Sequence, residues 1–325
     1  MSGGAGGSGE FDRIATYFAP LARGSEASLG LTDDAALLSI PEGMELAVTA
    51  DTLVESIHFF GDEPADALAQ KSVRVNLSDL AAMGAKPHGY FLSISLPGRI
   101  DDEWIAAFCK GLERDQAAFG WHLMGGDSTS TPGPISIAVT ALGLVEKGRA
   151  LRRSGARPGD AVFVSGTIGD GFLGLLAAQG RLPYGPEAEA VQQRYHRPEP
   201  RVSLGMALAG TAHAAMDVSD GLVADLAHIC AASGVGAEVD ARSVPLSQAG
   251  AELLAGAPDL FPEILTGGDD YELLVTGPED AIRAAAASCD TRLTRIGVIR
   301  EEPGVAVRDG DGNLLEFAQT GFRHG

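Results

Sequence analysis

Short apolar segments with two different periodicities alternate along this chain, and Gly, Pro and Asp separate them. Residues 44–50 and 89–96 alternate apolar and polar side chains, which is typical of half-buried strands. Residues 102–119 instead place apolar side chains three and four positions apart, which predicts an amphipathic helix that ends before Gly120. Segments of both kinds follow one another in both halves, so we expect an α/β or α+β fold with mixed sheets.

Further elements follow from the same patterns. A helix over residues 66–84 is expected, with Asp66 as its cap and Gly84 just past its end. The remaining predicted strands are 135–145, 161–165, 236–240, 271–276, 294–299 and a short one ending at Asp217, and the remaining predicted helices are 170–179, 201–213 and 221–233.

A chain of 325 residues is long enough for two domains. The stretch 146–159 turns polar and holds four arginines, so we place the boundary there. Residues 1–9 are rich in Gly and Ser, which predicts a flexible lead-in rather than a signal peptide. The prediction is therefore a lead-in over 1–9, a first domain over 10–150 and a second over 151–325, with 183–200 as a surface connection.

The charge balance narrows the classes of partner. The chain has 44 acidic and 24 basic residues, a net charge of −20, which disfavours nucleic acid and anionic membranes as partners. No apolar run approaches the roughly 20 residues of a membrane span. Three widely separated cysteines without a CxxC pair are typical of the reducing cytosol, so we expect a cytoplasmic protein.

Aspartates recur beside Gly or Ser where apolar segments begin or end. Two unit charges 4 Å apart repel by about 4 kcal/mol at an effective dielectric of 20, so a converging set needs cations. Mg²⁺ binds carboxylate oxygens and substrate phosphates, which favours a phosphate-handling enzyme with several Mg²⁺ ions. The aspartates concerned are Asp33, Asp34, Asp51, Asp79, Asp127, Asp217, Asp220, Asp269 and Asp270.

Other nucleotide and hydrolase motifs are missing from the sequence. It contains no Gly-Lys pair, and therefore no Walker A loop, and no HRD, DFG, HExxH or GxSxG. Among the histidines only His58, in the turn after Asp51, is kept as a site candidate. The Gly-rich turn over 165–171 is compatible with an anion site at a helix start and equally with a tight turn that binds nothing.

Seven blocks of the sequence form a set that extends over both halves. The blocks are Asp33-Asp-Ala-Ala-Leu-Leu, Asp51-Thr-Leu-Val, Val75-Asn-Leu-Ser-Asp-Leu-Ala-Ala-Met-Gly-Ala, Gly125-Gly-Asp-Ser-Thr, Gly148-Arg-Ala-Leu-Arg-Arg-Ser-Gly-Ala-Arg-Pro-Gly-Asp, Asp217-Val-Ser-Asp-Gly-Leu and Gly267-Gly-Asp-Asp-Tyr-Glu-Leu. Together they carry a resemblance to the thiamine-monophosphate kinase family, within the aminoimidazole-ribonucleotide-synthetase-like superfamily, and the match runs from Gly9-Glu-Phe to Gly321-Phe322.

The resemblance implies a two-domain fold whose first domain binds ATP and Mg²⁺ and dimerises through its sheet, giving a homodimer. It implies ATP-dependent phosphorylation of thiamine monophosphate to thiamine diphosphate, the last step of thiamine diphosphate biosynthesis, by direct in-line transfer. No catalytic residue beyond the metal ligands is expected, because the nucleophile is already an anionic phosphate oxygen.

The resemblance also implies roles for individual residues. The implied Mg²⁺ ligands are Asp34, Thr49, Asp51, Asp79, Asp127, Asp217 and Asp220. The implied ATP contacts are Gly126, Asp127, Arg153 and Ser219, and the implied contacts to thiamine monophosphate are His58, Asp269 and Phe322.

Three positions depart from the pattern of the family. Ala50 stands where Thr is familiar, Asp269 replaces a Glu, and Phe322 replaces a Tyr or Trp. Two alternatives therefore stay open: a superfamily member with another substrate, such as a selenophosphate or aminoimidazole-ribonucleotide synthetase, and a metal-binding or regulatory protein that has lost catalysis. An N-terminal Cys or selenocysteine with a nearby Lys, which the selenium branch would need, is not present in the sequence.

Overall fold

A computed structural model describes residues 10–319 and residue 321. The predicted lead-in over 1–9 and the site candidate Phe322 lie outside the described residues. The chain divides into two compact units. The first unit comprises the described residues through Leu77 together with Pro87–Leu144, and the second comprises Ser78–Lys86 together with the described residues from Val145 onward.

The first unit is built on a four-stranded sheet in the order β1-β4-β2-β3, in which β2 and β3 run parallel. A short helical segment precedes the sheet and ends in a 3₁₀ turn over Glu26–Leu31. The elements of this part of the chain are α1 (Glu10–Arg13), α2 (Ala19–Ala22), β1 (Met44–Val54), α3 (Ala65–Ala82), β2 (Lys86–Pro97), α4 (Asp102–Phe119), β3 (Leu123–Thr131) and β4 (Ser136–Glu146).

Helix α4 has the predicted bounds because its start, its buried face and its end are all encoded locally. The Asp101 carboxylate accepts the Trp104 N–H at 2.8 Å and caps the first turn. Ile105 and Phe108 are among the buried side chains of its apolar face. Gly120 ends the helix at φ +67°, a conformation that glycine adopts without steric cost.

Helix α3 differs slightly from its prediction. It begins at Ala65, so Asp66 lies inside the first turn and is not the cap. It ends at Ala82, two residues before the end of the predicted range. Gly84 lies just past this end as predicted, since it has φ +67° and donates its N–H to the Ala81 carbonyl.

The second unit is built on a six-stranded mixed sheet in the order β10-β7-β9-β5-β8-β6, which confirms the predicted fold class. The β7–β10 pair is parallel, and the other pairs are antiparallel. Its elements are β5 (Ala161–Ser165), α5 (Asp170–Ala178), α6 (Pro186–His196), α7 (Val202–Leu208), β6 (Ala214–Val218), α8 (Leu222–Ser233), β7 (Gly236–Asp240), α9 (Gln248–Gly256), α10 (Phe261–Thr266), β8 (Glu272–Gly277), α11 (Glu279–Ala286), β9 (Leu293–Arg300) and β10 (Gly304–Arg308).

The predicted surface connection over 183–200 is wrong, since most of it forms α6, which packs on α5. Gly174 of α5 allows the close approach, because a Cβ there would lie 2.5 Å from the Cβ of Tyr195. Val191 and Tyr195 are buried, while ionised side chains on the other positions conceal the apolar face in the sequence.

Helix α7 is also shorter than the predicted helix over 201–213. Within the described ranges, no helix is long and apolar enough to cross a membrane.

Candidate active site

Strand β1 carries two of the expected metal ligands of the first unit, Thr49 and Asp51. The predicted strand over 44–50 ends too early, since β1 continues to Val54 and Asp51 lies within it. The Asp51 N–H donates to Asn76 Oδ1 at 3.2 Å, and the buried Asn76 donates in turn to the Ser72 carbonyl at 3.1 Å. Asn76 therefore ties β1 to α3 directly beside an exposed carboxylate.

Gly126 and Asp127 lie inside β3, opposite Leu92 and Ser93 of β2, and not at the end of a strand. A Cβ at residue 126 would run into the Leu92 carbonyl oxygen, so only glycine lets the two strands approach here. The Asp127 side chain is exposed. Asp34 is also exposed, in a bend that follows the 3₁₀ turn.

His58 is held in one tautomer by the backbone. Its Nδ1 accepts the Val54 N–H at 3.0 Å, so Nε2 carries the proton of the neutral ring. Lys71, which is 1% exposed, donates from Nζ to the His58 carbonyl at 3.5 Å. The sequence did not single out Lys71 as a site residue, although a lysine in the apolar stripe of α3 was the available signal.

In the second unit, Asp217 ends up buried at the C-terminal end of β6. Ser78 donates its hydroxyl to Asp217 Oδ2 at 2.7 Å. Burial raises the pKa of Asp217 to about 8, and the neighbouring charge of Asp79 adds to that rise. The repulsion expected between converging aspartates therefore operates between Asp79 and Asp217.

The loop after β6 is organised by Asp225, a residue that the sequence analysis missed. Asp225 Oδ2 accepts the N–H groups of Ser219, Asp220 and Gly221 at 3.0, 3.1 and 3.2 Å. Burial raises the pKa of Asp225 to about 7, although these hydrogen bonds oppose the rise. No local pattern marks Asp225, because a carboxylate in the first turn of a helix is common.

The segment around Asp269 lies against the same loop. The Asp269 N–H donates to the Ser219 carbonyl at 2.9 Å, and the Tyr271 N–H donates to the Val218 carbonyl at 2.8 Å. The Tyr271 hydroxyl donates to Asp269 Oδ1 at 3.0 Å. Two blocks about 50 residues apart in the sequence, 217–221 and 267–271, are therefore neighbours in space.

The N–H groups of the Gly-rich turn over 165–171 bind a carboxyl group of the protein itself. The N–H groups of Gly169 and Gly171 donate to the Asp270 carboxylate at 2.8–3.0 Å. Asp270 is 2% exposed, and burial holds its pKa well above the usual range. Of the two alternatives for this turn, the anion site is thus wrong for these two amides, because a protein carboxylate takes them.

Arg153 is exposed and lies on the loop that precedes β5. Ser233, the last residue of α8, secures this loop: its Oγ accepts the N–H groups of Gly155 and Ala156 at 3.1 Å. The same hydroxyl lies 3.4 Å from the Arg153 carbonyl, to which it donates. The N-terminal end of helix α8 therefore adjoins the loop that contains Ser219, and its C-terminal end contacts the loop that contains Arg153.

The donors expected to bind metal are all oxygens, which suits a hard cation such as Mg²⁺. The repulsion between Asp79 and Asp217 is what a cation would relieve, so these residues fit the ion. Within either unit, the described residues hold no group of three or more His, Cys, Asp and Glu placed to bind a metal. The expected ligands are divided between the units, with Asp34, Thr49, Asp51 and Asp127 in the first and Asp79, Asp217 and Asp220 in the second.

Comparisons with known proteins agree with the motifs. Residues 32–145 match the N-terminal domain of AIR synthase related proteins, and residues 157–310 match the C-terminal domain. A thiamine-monophosphate kinase from Caulobacter vibrioides is 43% identical over 323 residues, which cover 97% of this chain and 91% of the relative. The chain belongs to the thiamine-monophosphate kinase family.

Solved structures of this family have the same fold. A thiamine-monophosphate kinase from Stenotrophomonas maltophilia K279a superimposes with a TM-score of 0.82 at 45% identity, covering 92% of this chain and 98% of that one. A structure described as AaThiL complexed with AMPPCP and TMP has a TM-score of 0.79 at 32% identity, covering 88% of this chain and 89% of that one. The chain is therefore an enzyme of the phosphotransferase class.

Proposed function

We propose that this protein phosphorylates thiamine monophosphate to thiamine diphosphate with ATP, by direct in-line transfer assisted by several Mg²⁺ ions. The observation that carries the proposal is the relative complexed with AMPPCP and TMP, which is 32% identical over 88% of this chain. A phosphate oxygen of the acceptor forms a bond to the γ-phosphorus while the bond from that phosphorus to the bridging oxygen breaks, and ADP leaves.

The chemistry requires little beyond positioning and charge neutralisation. The acceptor oxygen is already anionic, so no strong base is needed, and repulsion between two phosphates is the main obstacle. Bound Mg²⁺ would neutralise phosphate charge between donor and acceptor. The residues proposed to hold it are Asp34, Thr49, Asp51, Asp79, Asp127, Asp217 and Asp220.

The remaining proposed roles belong to residues that orient the two ligands. Gly126, Arg153 and Ser219 contact ATP together with Asp127, and Ser219 is offered by the loop that Asp225 holds. His58 donates from Nε2 to the acceptor, since Nδ1 is occupied by a backbone N–H. Asp269 contacts the acceptor from a carboxylate that Tyr271 orients, and Phe322 stacks on its ring.

The substrate is tested by ADP release. Purified protein is incubated with ATP and Mg²⁺, with and without thiamine monophosphate, and ADP and thiamine diphosphate are quantified. We expect equimolar products that depend on the acceptor. ADP release only with formylglycinamidine ribotide would indicate a superfamily member with another substrate. Mg²⁺ binding without Mg²⁺-dependent ATP affinity, measured by calorimetry, would favour a non-catalytic protein.

The metal role is tested at Asp127. Asp127→Asn removes a charge at nearly constant volume, so we expect an intact fold and a loss of turnover of about 100-fold or more, equivalent to about 2.7 kcal/mol. Asp259→Asn is the matched control, because Asp259 is also an exposed carboxylate and lies in a short 3₁₀ turn of the second unit. Turnover near that of the control would contradict a metal role for Asp127.

We also propose that the enzyme is a cytoplasmic homodimer that associates through the sheet of the first unit. Strand β1 lies at the edge of that sheet and exposes 58% of Val48, and 68% of Ile57 is exposed nearby in the sequence. The cysteines are unpaired, which fits a reducing compartment. Analytical ultracentrifugation should show a dimer that Val48→Lys converts to a monomer, and a monomeric parent protein would contradict the proposal.

A further inference from the structure

The carboxylate of Asp225 gathers three consecutive backbone N–H groups onto one oxygen. Asp225 is 1% exposed in the first turn of α8, and its Oδ2 accepts from Ser219, Asp220 and Gly221 at 3.0–3.2 Å. Residues 219–221 form the loop between β6 and α8 and are named the 219–221 loop. Its orientation therefore depends on a single acceptor atom.

Two peptide groups of this loop make hydrogen bonds through both their N–H and their C=O. A trans peptide is planar, and its N–H and C=O point in opposite directions. The plane joining Val218 to Ser219 donates its N–H to Asp225 and accepts the Tyr271 N–H at 2.8 Å. The plane joining Ser219 to Asp220 donates its N–H to Asp225 and accepts the Asp269 N–H at 2.9 Å.

The segment 268–271, two of whose N–H groups donate to these peptide groups, has a backbone conformation that its surroundings must stabilise. Asp269 has φ +69° and Tyr271 has φ +53°, and non-glycine residues keep left-handed backbones only where the surroundings hold them. A Cβ at Gly268 would run into the Ser219 carbonyl oxygen, so the 219–221 loop and this segment are in direct contact.

We infer that Asp225 is a positioning residue that holds nucleotide-contacting Ser219 and acceptor-contacting Asp269 in one fixed arrangement. The inference rests on the proposed function, because those two contacts are part of it. Without the acceptor atom, three N–H groups lose their partner and the two peptide planes turn. Their carbonyls then no longer meet the N–H groups of Asp269 and Tyr271, so both ligand contacts are lost together.

Two substitutions of Asp225 separate the effect of losing the accepting oxygen from the effects of changed shape and burial. Asp225→Leu keeps the approximate shape and removes the acceptor, whereas Asp225→Asn keeps one accepting oxygen. The asparagine amide would take the place of Oδ1, which is buried and makes no hydrogen bond. For Asp225→Leu we expect the KM for ATP and the KM for thiamine monophosphate both to rise about tenfold, equivalent to about 1.4 kcal/mol. For Asp225→Asn we expect both within about threefold of the parent, about 0.65 kcal/mol.

Loss of stability alone is excluded by a control in the other unit. Asp115 is also 1% exposed and accepts from Arg74 at 2.7 Å and from Gln70 at 2.7 Å. Asp115→Asn should lower the denaturation midpoint and leave both KM values unchanged, when all variants are assayed well below their unfolding temperatures.

The outcomes are decisive in both directions. A folded Asp225→Leu protein with both KM values unchanged, or with only one raised, overturns the inference. If that variant does not fold, Asp225→Glu decides, since it moves the acceptor by one methylene: two raised KM values support the inference and unchanged values overturn it.

Different results would refute the proposed function and the positioning role of Asp225. A parent protein without acceptor-dependent ADP release refutes the function alone, provided that it binds AMPPCP. A Kd for AMPPCP about tenfold weaker in Asp225→Leu, measured by calorimetry, would still support the positioning role, and an unchanged Kd would refute it. A parent protein that binds no AMPPCP refutes both.

Discussion

Glu272 is a fully buried carboxylate, and replacing it tests how strongly ionic contacts hold the second unit together. It is 0% exposed and receives Arg201 Nε on Oε2 at 2.7 Å, Arg201 Nη2 on Oε1 at 2.5 Å and Arg194 Nη2 on Oε1 at 2.9 Å. The Ser165 hydroxyl adds a bond of 2.5 Å to Oε2. Burial lowers the pKa of Arg201, but Glu272 and, to a smaller extent, Glu199 together outweigh burial, and the pKa is raised.

The magnitude follows from the atoms that Glu272→Gln removes. One carboxylate oxygen becomes an amide NH₂, which cannot accept, so two of the four hydrogen bonds are lost. A hydrogen bond to a charged group contributes about 1.5–3 kcal/mol, and breaking a buried pair costs about 3–5 kcal/mol. The arginine side chains are 16–18% exposed, so water replaces part of the loss. We therefore expect a decrease of about 3 kcal/mol in the free energy of unfolding.

The suitable assay is urea denaturation monitored by far-UV circular dichroism. Both tryptophans, Trp104 and Trp121, lie in the first unit, so tryptophan fluorescence does not report directly on the unit that contains Glu272. With a slope of about 1–3 kcal/mol per molar urea, the midpoint should fall by about 1 M or more.

Glu238→Gln is the matched control. Glu238 also contacts two arginines, Arg300 at 3.0 Å and Arg308 at 3.2 Å, but 34% of its side chain is exposed. Exposed ion pairs contribute about 0–1 kcal/mol, so its midpoint should hardly change. Equal midpoints for the two variants would refute the argument that burial makes the Glu272 contacts strong.

Three further predictions concern single residues. The Ile135 N–H and then Arg99 hold the pKa of Glu55 below 4.5, so its contribution to stability is present above that pH and is lost on acidification. Glu55→Gln should therefore lower the unfolding free energy near pH 7, and its difference from the parent protein should shrink as the pH falls, as urea titrations would show. Gly205→Ala would place a Cβ 2.7 Å from a backbone carbonyl carbon and should cost about 1–3 kcal/mol in the same assay. Burial raises the pKa of the Cys109 thiol to about 12, so iodoacetamide at pH 8 should leave Cys109 unlabelled in the folded protein. Cys289 is only half-buried and should react. Equal labelling of the two cysteines, measured by mass spectrometry, would contradict this.

Elements whose signals are local were predictable. Helix α4 has the predicted bounds because its cap, its apolar spacing and its terminal glycine all lie within about 20 residues of sequence. Strands β5 and β7 likewise have the predicted bounds. Helix α6 was missed because its charged residues resemble a loop, and only packing against α5 shows that Val191 and Tyr195 form a buried face.

The candidate site shows the same division. The types of residue and their motifs indicated the family and the carboxylate set, whereas the roles of individual ligands remain predictions. Asp225 and the orientation that it gives to the 219–221 loop were not predictable, because the hydrogen bonds of the loop to Asp269 and Tyr271 join residues about 50 positions apart.

The sequence by itself determined the fold class and the family and supplied the set of candidate carboxylates, because periodicity and motif composition are properties of neighbouring residues. Only the tertiary structure decided which carboxyl groups form hydrogen bonds within the protein and are therefore not available to a ligand. The Asp270 carboxyl accepts the N–H of Gly169, 101 residues earlier, so this N–H is not available to a bound anion. A backbone N–H donates to any well-placed acceptor, and the folded arrangement rather than the local sequence decides which acceptor that is.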